Sequence, residues 1–238
     1  MHSLHCLLPM ALLAACASPA PAAPAPEADD ARLQVGFLIV NGVYNTELTA
    51  PYDIFQHSIF HTQPGMHVFT VAPSLEPVTT FEGLRVLPDH AFEGAPRIDV
   101  LVVPSAEHSM DTDLEDQALM AFVRERGARA DYVLSLCDGA FVLAAAGLLD
   151  GHQATTFPSD IDRFREMFPA VDVLSEVSFV HDRKALTSAG GALSFDPALY
   201  LAELLYGDKA ARGMARGLCI DWDLEQVDHH LSAPAEAR

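Results

Sequence analysis

"YVLSLCDGAFVLAAAGLLDG", residues 132 to 151, runs an apolar stretch into Cys137 and then directly into a run of small residues. Near-continuous apolar character through Leu136 fits a strand buried on both faces, and the alanine-rich segment after it fits a closely packed helix. A strand passing at once into a helix is one unit of a parallel sheet, and ligands gather at the carboxyl ends of such strands. Cys137 stands at one of those ends. A turn this sharp exposes the side chain and sets it over the first helical amides, which favour thiolate over thiol. Amides from Asp138 onward can also donate to an oxyanion. Together these features make a nucleophile elbow with Cys in place of Ser, and Gly139 and Ala140 permit the tight packing it demands. A free cysteine is equally often a small buried core residue, and the local residues leave both readings open.

The rest of the chain alternates in the same way. Strands are expected at 33 to 42, 67 to 73, 98 to 104 and 131 to 137, with a hairpin over 78 to 90 and short strands within 177 to 190. Helices are expected at 48 to 61, with Pro51 in the first turn, and at 113 to 128, 139 to 151 and 157 to 169. A final helical pair covers 194 to 207 and 209 to 222, placing Cys219 at the end of a late helix, against the core. Alternating strands and helices with continuous apolar strands imply an α/β sandwich around a mostly parallel sheet. No internal repeat is present.

The 238 residues are half hydrophobic, enough for one large domain with a full core. With 14 basic against 33 acidic residues, the net charge of −19 repels phosphate backbones, so no nucleic-acid partner is expected. Neither Gly-x-x-x-x-Gly-Lys nor Gly-x-Gly-x-x-Gly occurs, so the common phosphate cradles are missing, and no cofactor is expected.

The N-terminus reads as an export signal over 1 to 15 and a Pro/Ala-rich tether over 16 to 31. Leu13-Ala14-Ala15-Cys16 resembles the lipobox of bacterial lipoproteins, in which the cysteine is lipidated. That resemblance implies attachment of Cys16 to a membrane in the cell envelope, the periplasm, through a lipid anchor. The leader carries His2 and His5 but no Lys or Arg, and an ordinary cleaved signal ending near 17 to 20 is the other reading. Cys137 and Cys219 remain in the folded domain, and nothing local brings them together as a disulfide.

"SLCDGAFVLAAAGLLDGHQATT" resembles the cysteine-elbow segment of the ThiJ/PfpI superfamily, relatives of the class I glutamine amidotransferases. Within that superfamily it resembles the isonitrile hydratase and AraC-type amidotransferase-like branch. "VGFLIVNGVYNTELTAPYDIF", "IDVLVVP" and "LTSAGGALSFDPALYLAELLYGDKAARGMARGL" follow the same pattern in order, covering about 33 to 222. The resemblance implies a flavodoxin-like three-layer sandwich over 32 to 222, followed by an acidic tail over 223 to 238, and a homodimer. It further implies that Cys137 is the nucleophile and that Glu47 is the acid preceding the first helix and reaching toward it. A carboxyl beside a thiolate is kept partly protonated by like charge, so Glu47 can act as acid or base. An acid at a helix start also suits the dipole, a role compatible with the first.

Three positions depart from the family. Asp138 stands where relatives have Thr or His and adds negative charge beside the sulfur. The oxyanion loop, often Pro-Gly-Gly, is Pro104-Ser105-Ala106 here, and Phe157 replaces a histidine. His108, just after that loop, is the nearest candidate to replace the lost imidazole. Asp53, His57 and His61 share one helical face but lack a further ligand nearby, so they read as a polar stripe rather than a metal site. His229 and His230 are weaker still.

Two function classes follow. In one, Cys137 attacks a small carbon electrophile, as in hydration of an isonitrile to a formamide, with Glu47 and Asp138 in the catalytic set. Ser105, Ala106, Gly139, Phe157 and His108 then border the small-molecule pocket. In the other, the domain is an envelope ligand binder or thiol sensor without turnover. AraC-type relatives carry a helix-turn-helix domain after this one, and the sixteen residues after Trp222 are too few for it.

Overall fold

The structure, a computed structural model, describes residues 31–232. The leader, Cys16 and all but the last tether residue lie outside them. The chain opens with β1 (Gln34–Leu38), α1 (Asn45–Gln56), the short α2 (Ser58–His61) and β2 (His67–Ala72). A small hairpin, β3 (Val78–Thr79) and β4 (Arg85–Val86), precedes β5 (His90–Ala91) and β6 (Val100–Val103). Next come α3 (Gln117–Arg129), β7 (Tyr132–Leu136), α4 (Gly139–Ala145), β8 (Gln153–Ala154), α5 (Ile161–Met167) and β9 (Asp172–Val173). The chain then adds β10 (Phe179–Asp182), β11 (Ala185–Ser188), α6 (Phe195–Tyr206), α7 (Asp208–Gly217) and β12 (His229–Leu231).

Eight strands form the main sheet in the order β12-β10-β11-β7-β6-β1-β2-β5. Its centre, β2-β1-β6-β7-β11, is the flavodoxin-like order 2-1-3-4-5, and every pair within it is parallel. β10 runs antiparallel to β11, and β12 runs parallel to β10.

Side chains alternate across the sheet even where strands are apolar throughout. In β6, Val100 and Val102 join Phe37, Phe55, Leu199 and Met214 in a core on the face covered by α1, α6 and α7. Leu101 and Val103 point the other way, into a core with Val123, Phe141 and Phe164 beneath α3, α4 and α5. Two apolar layers explain why the strands carry no polar face. The expected three-layer sandwich is the observed fold.

Local boundaries differ from those expected. α1 starts three residues earlier than periodicity indicated, which puts Pro51 inside the helix rather than in its first turn. Proline has no N–H for the Glu47 carbonyl four residues back, and burial of Leu48, Ala50, Ile54 and Phe55 holds the helix instead. α3 begins at Gln117 because the Asp116 carboxylate accepts from the Ala118 and Leu119 amides, confining 112–115 to a separate 3-10 turn. The late helix stops at Gly217, so Cys219 is exposed in a left-handed turn, φ 60°, and does not pack against the core. Residues 229–231, expected in a tail, pair with β10 and extend the sheet. Among the described residues, no helix is long and apolar enough to cross a membrane.

Candidate active site

Four neighbouring strands each deliver one part of the site at their carboxyl ends. Glu47 lies in the first turn of α1 after β1, Ser105 follows β6, Cys137 follows β7, and Gly190 follows β11. This is the crevice where strand order reverses in a doubly wound sheet.

Cys137 adopts φ 53°, the left-handed conformation a non-glycine residue takes only when its surroundings enforce it. Two glycines allow the enforcement. A Cβ on Gly139 would lie 2.0 Å from the Val103 carbonyl oxygen, and one on Gly190 would lie 2.3 Å from Cys137 Cβ. Neither contact is possible, so α4 and the β11 loop close on the elbow only without side chains there. The Cys137 amide completes the turn by donating to the Ser188 carbonyl at 2.9 Å.

The thiol sits between two carboxylates. Glu47, 5% exposed, accepts from the Ser105 amide at 3.1 Å, from the Gly191 amide at 3.3 Å, and from the thiol. On the other side, Cys137 Sγ is 3.7 Å from Asp138 Oδ2. Burial raises Glu47 to about 7 against the pull of those three donors, with the Asp138 charge adding to the rise. Burial and the nearby Asp160 raise Asp138 to about 6, offset by the Thr156 hydroxyl, the thiol and Arg163. Cys137 itself is pushed far up by burial, then by the charges of Glu47 and Asp138, and the Asp138 amide pulls back only in part. The helix-amide stabilisation of a thiolate expected from sequence therefore loses to burial and like charge. The resting site holds a neutral thiol beside two carboxyls raised toward neutrality.

The oxyanion loop is committed elsewhere. The Ser105 amide serves Glu47, and the Ala106 amide donates to Ser109 Oγ at 2.9 Å. A bridge between Val43 and Ala106, with the Glu107 amide donating to the Gly42 carbonyl at 3.0 Å, ties the loop to the segment before α1. An adduct oxygen reaches the Ala106 amide only if the Ser109 hydroxyl swings aside. The Ser105 hydroxyl is buried and has no hydrogen-bond partner.

The histidine replacements do not assemble. His108 is turned to the exposed Asp111, with Nδ1 3.2 Å from Oδ1, so it is a surface partner rather than a pocket imidazole. Phe157 is 40% exposed. His57 bonds the Asp53 carbonyl at 2.8 Å, and His57 and His61 lie over Gly217 and Gly213 of α7. His230 bonds Gln153 while His229 stacks on Phe179. Among the described residues, no group of three or more His, Cys, Asp or Glu is arranged to hold a metal.

Two site residues escape a sequence reading. Thr156 Oγ1 lies 3.0 Å from Asp138 Oδ1 and 3.1 Å from the Cys137 carbonyl oxygen, fixing the carboxylate that faces the sulfur. Its single proton goes to Asp138 when that group is ionised and to the Cys137 carbonyl when it is protonated. Tyr44 stands near enough for the charges of Cys137 and Glu47 to raise its phenol, after burial, and its ring packs at a tilt against Phe81 with centroids 4.7 Å apart. Position next to Phe157 in "ATTFP" is the only sequence signal for Thr156.

Residues 33–203 match the DJ-1/PfpI family. The isonitrile hydratase of Pseudomonas putida is 36% identical over 183 residues, which is 76% of this chain and 75% of that one. The HTH-type transcriptional regulator CdhR of Pseudomonas aeruginosa is 33% identical over 135 residues, spanning 57% of this chain but 39% of the regulator. A ThiJ/PfpI family protein from Pseudomonas syringae superposes with a TM-score of 0.73 at 30% identity, over 85% of this chain and 84% of that one. Likeness that runs from the first strand into α6, through every loop that builds the elbow, leads to the conclusion that the chain belongs to the DJ-1/PfpI family.

Proposed function

We propose that the protein is a cysteine-dependent enzyme acting on a small carbon electrophile, most like an isonitrile hydratase. The observation that carries this is a thiol held between Glu47 and Asp138, two carboxyls raised to about 7 and about 6. Similarity to the P. putida isonitrile hydratase supports the substrate class. Cys137 sulfur bonds to the terminal carbon of R–NC while the thiol proton passes through Glu47 to that carbon, giving the thioimidate R–N=CH–S–Cys. Asp138 then takes a proton from water as the water oxygen adds to the same carbon, and passes that proton to the nitrogen, giving R–NH–CH(OH)–S–Cys. Breaking the carbon–sulfur bond, with return of a proton to sulfur, releases R–NH–CHO and restores the thiol.

Incubation with cyclohexyl isocyanide, followed by detection of N-cyclohexylformamide, tests this. Turnover abolished by Cys137→Ala and reduced at least about a hundredfold by Glu47→Gln is expected. Absence of formamide from the unmodified chain overturns it.

One observation favours a second reading, a ligand-binding or thiol-sensing domain without turnover. The amides of Ser105 and Ala106 are already occupied, and the thiol is held neutral. Similarity to transcriptional regulators gives that reading company. Ligand binding without product would favour it. For the whole chain we further propose a lipid anchor at Cys16 in the cell envelope and a homodimer, the latter overturned by sedimentation at monomer mass.

A further inference from the structure

The carboxyl end of the sheet holds a second feature beyond the elbow, over β10, β11 and the start of β12. It is a cavity of about 570 Å³, within the size range that takes a small organic molecule. Pro158, Ile161, Val177, Leu193 and Val227 supply apolar wall. Two of its residues also belong to the elbow's surroundings. Thr156 bonds the Cys137 carbonyl and Asp138, and Ala189 precedes the Gly190 that presses on Cys137.

The polar part of the wall has one sign. Asp196, in the first turn of α6, is half-buried, and the buried Ser178 hydroxyl donates to its Oδ2 at 2.6 Å. Glu176 and Asp228 add carboxylates from exposed positions, and no Lys, Arg or His is among the lining residues. Glu176 is held at φ 62°, a left-handed conformation unusual for its residue type. Such a wall disfavours carboxylate and phosphate ligands and complements an apolar body that ends in a cation.

We propose that this cavity holds the non-reacting end of the substrate of the Cys137 site, and that this end is an apolar skeleton bearing a protonated amine paired with Asp196. The assignment of a substrate rests on the cysteine chemistry proposed above; the recognition of an apolar amine does not. An ammonium approaching Asp196 forms a charge-assisted hydrogen bond in a partly dry setting, where an uncharged hydroxyl of the same shape forms a weaker one.

Calorimetric titration of the full chain near neutral pH with 2-phenylethylamine and with 2-phenylethanol, neither of which is electrophilic, tests the proposal. The amine is expected to bind at least about tenfold more tightly than the alcohol. Asp196→Asn should bring the amine down to the alcohol's affinity and leave the alcohol unchanged, while Val227→Trp, which fills the cavity, should weaken both. The amine-to-alcohol ratio is read on the unmodified chain, so it decides the matter even if a variant fails to fold. Equal affinities, no binding of either probe, or a preference that survives Asp196→Asn would overturn the proposal. Amine binding in a protein that makes no formamide leaves the cavity assignment standing and removes the isonitrile chemistry instead.

Discussion

Cys137 keeps its proton at rest, and the residues around it say where that proton goes. Glu47, raised from 4.5 to about 7, is the proposed acceptor, with a basicity well matched to neutral pH. Iodoacetamide labelling of Cys137 should therefore rise through about pH 7, and Glu47→Gln should remove that inflection and slow labelling at least about tenfold there. The experiment needs Cys219 replaced by Ser, because Cys219 is exposed and competes for the reagent, the reverse of what its helical spacing indicates. The same carboxyl bears on stability with a definite sign. Since the fold raises its pKa, ionisation penalises the folded state; the penalty is absent below the unfolded value, grows from 4.5 to about 7, and is complete above. Glu47→Gln should gain on the unmodified protein across that window by at most about 3 kcal/mol, read as a shift in urea midpoint between about pH 4 and about pH 8. Asp138→Thr removes a like charge from beside the sulfur and should speed labelling above about pH 6, and no change would mean that the carboxylate does not act on the thiol. Cys137 and Glu47 were legible because a strand, a cysteine and a small-residue helix are contiguous, and a family motif fixes the acid. Thr156 and the occupied Ala106 amide were not, because each hydrogen bond joins segments that only the fold brings together.

At the scale of elements, strands were more legible than helix ends. Continuous apolar runs locate β1, β2, β6 and β7 because burial on both faces leaves no other composition. Helix limits follow from single capping or packing events that periodicity does not encode: Asp116 starts α3, and α4 ends at Ala145, well short of the expected 151. The two-residue strands β8 and β9 are too short to leave a pattern. The packing of α4 against β6 yields the sharpest prediction at this scale. Gly139→Ala puts a methyl group into the Val103 carbonyl and should destabilise the domain by at least about 2 kcal/mol, measured by denaturant unfolding. A smaller loss would mean that the elbow tolerates a wider gap between helix and strand.

For the whole molecule, fold and family were legible from the order of motifs along the chain, while the proposed lipid anchor rests on residues 1 to 31. Cys16→Ala should move the protein from the membrane pellet to the soluble envelope fraction, and unchanged pelleting would remove the anchor. The C-terminal boundary has a different consequence. The sheet's outermost strands are short, two residues in β5 and three in β12, which limits the open backbone they offer to another chain. Ending the chain after Trp222 would strip β12 away and leave the four residues of β10 with unpaired N–H and C=O groups facing water. Such a truncated protein should form concentration-dependent oligomers by strand addition, seen as early-eluting species in gel filtration that the full chain does not produce. Residues 229–231 thus shield the β10 edge from strand addition, with His229 stacked on Phe179 and His230 tied to Gln153 holding the shield in place.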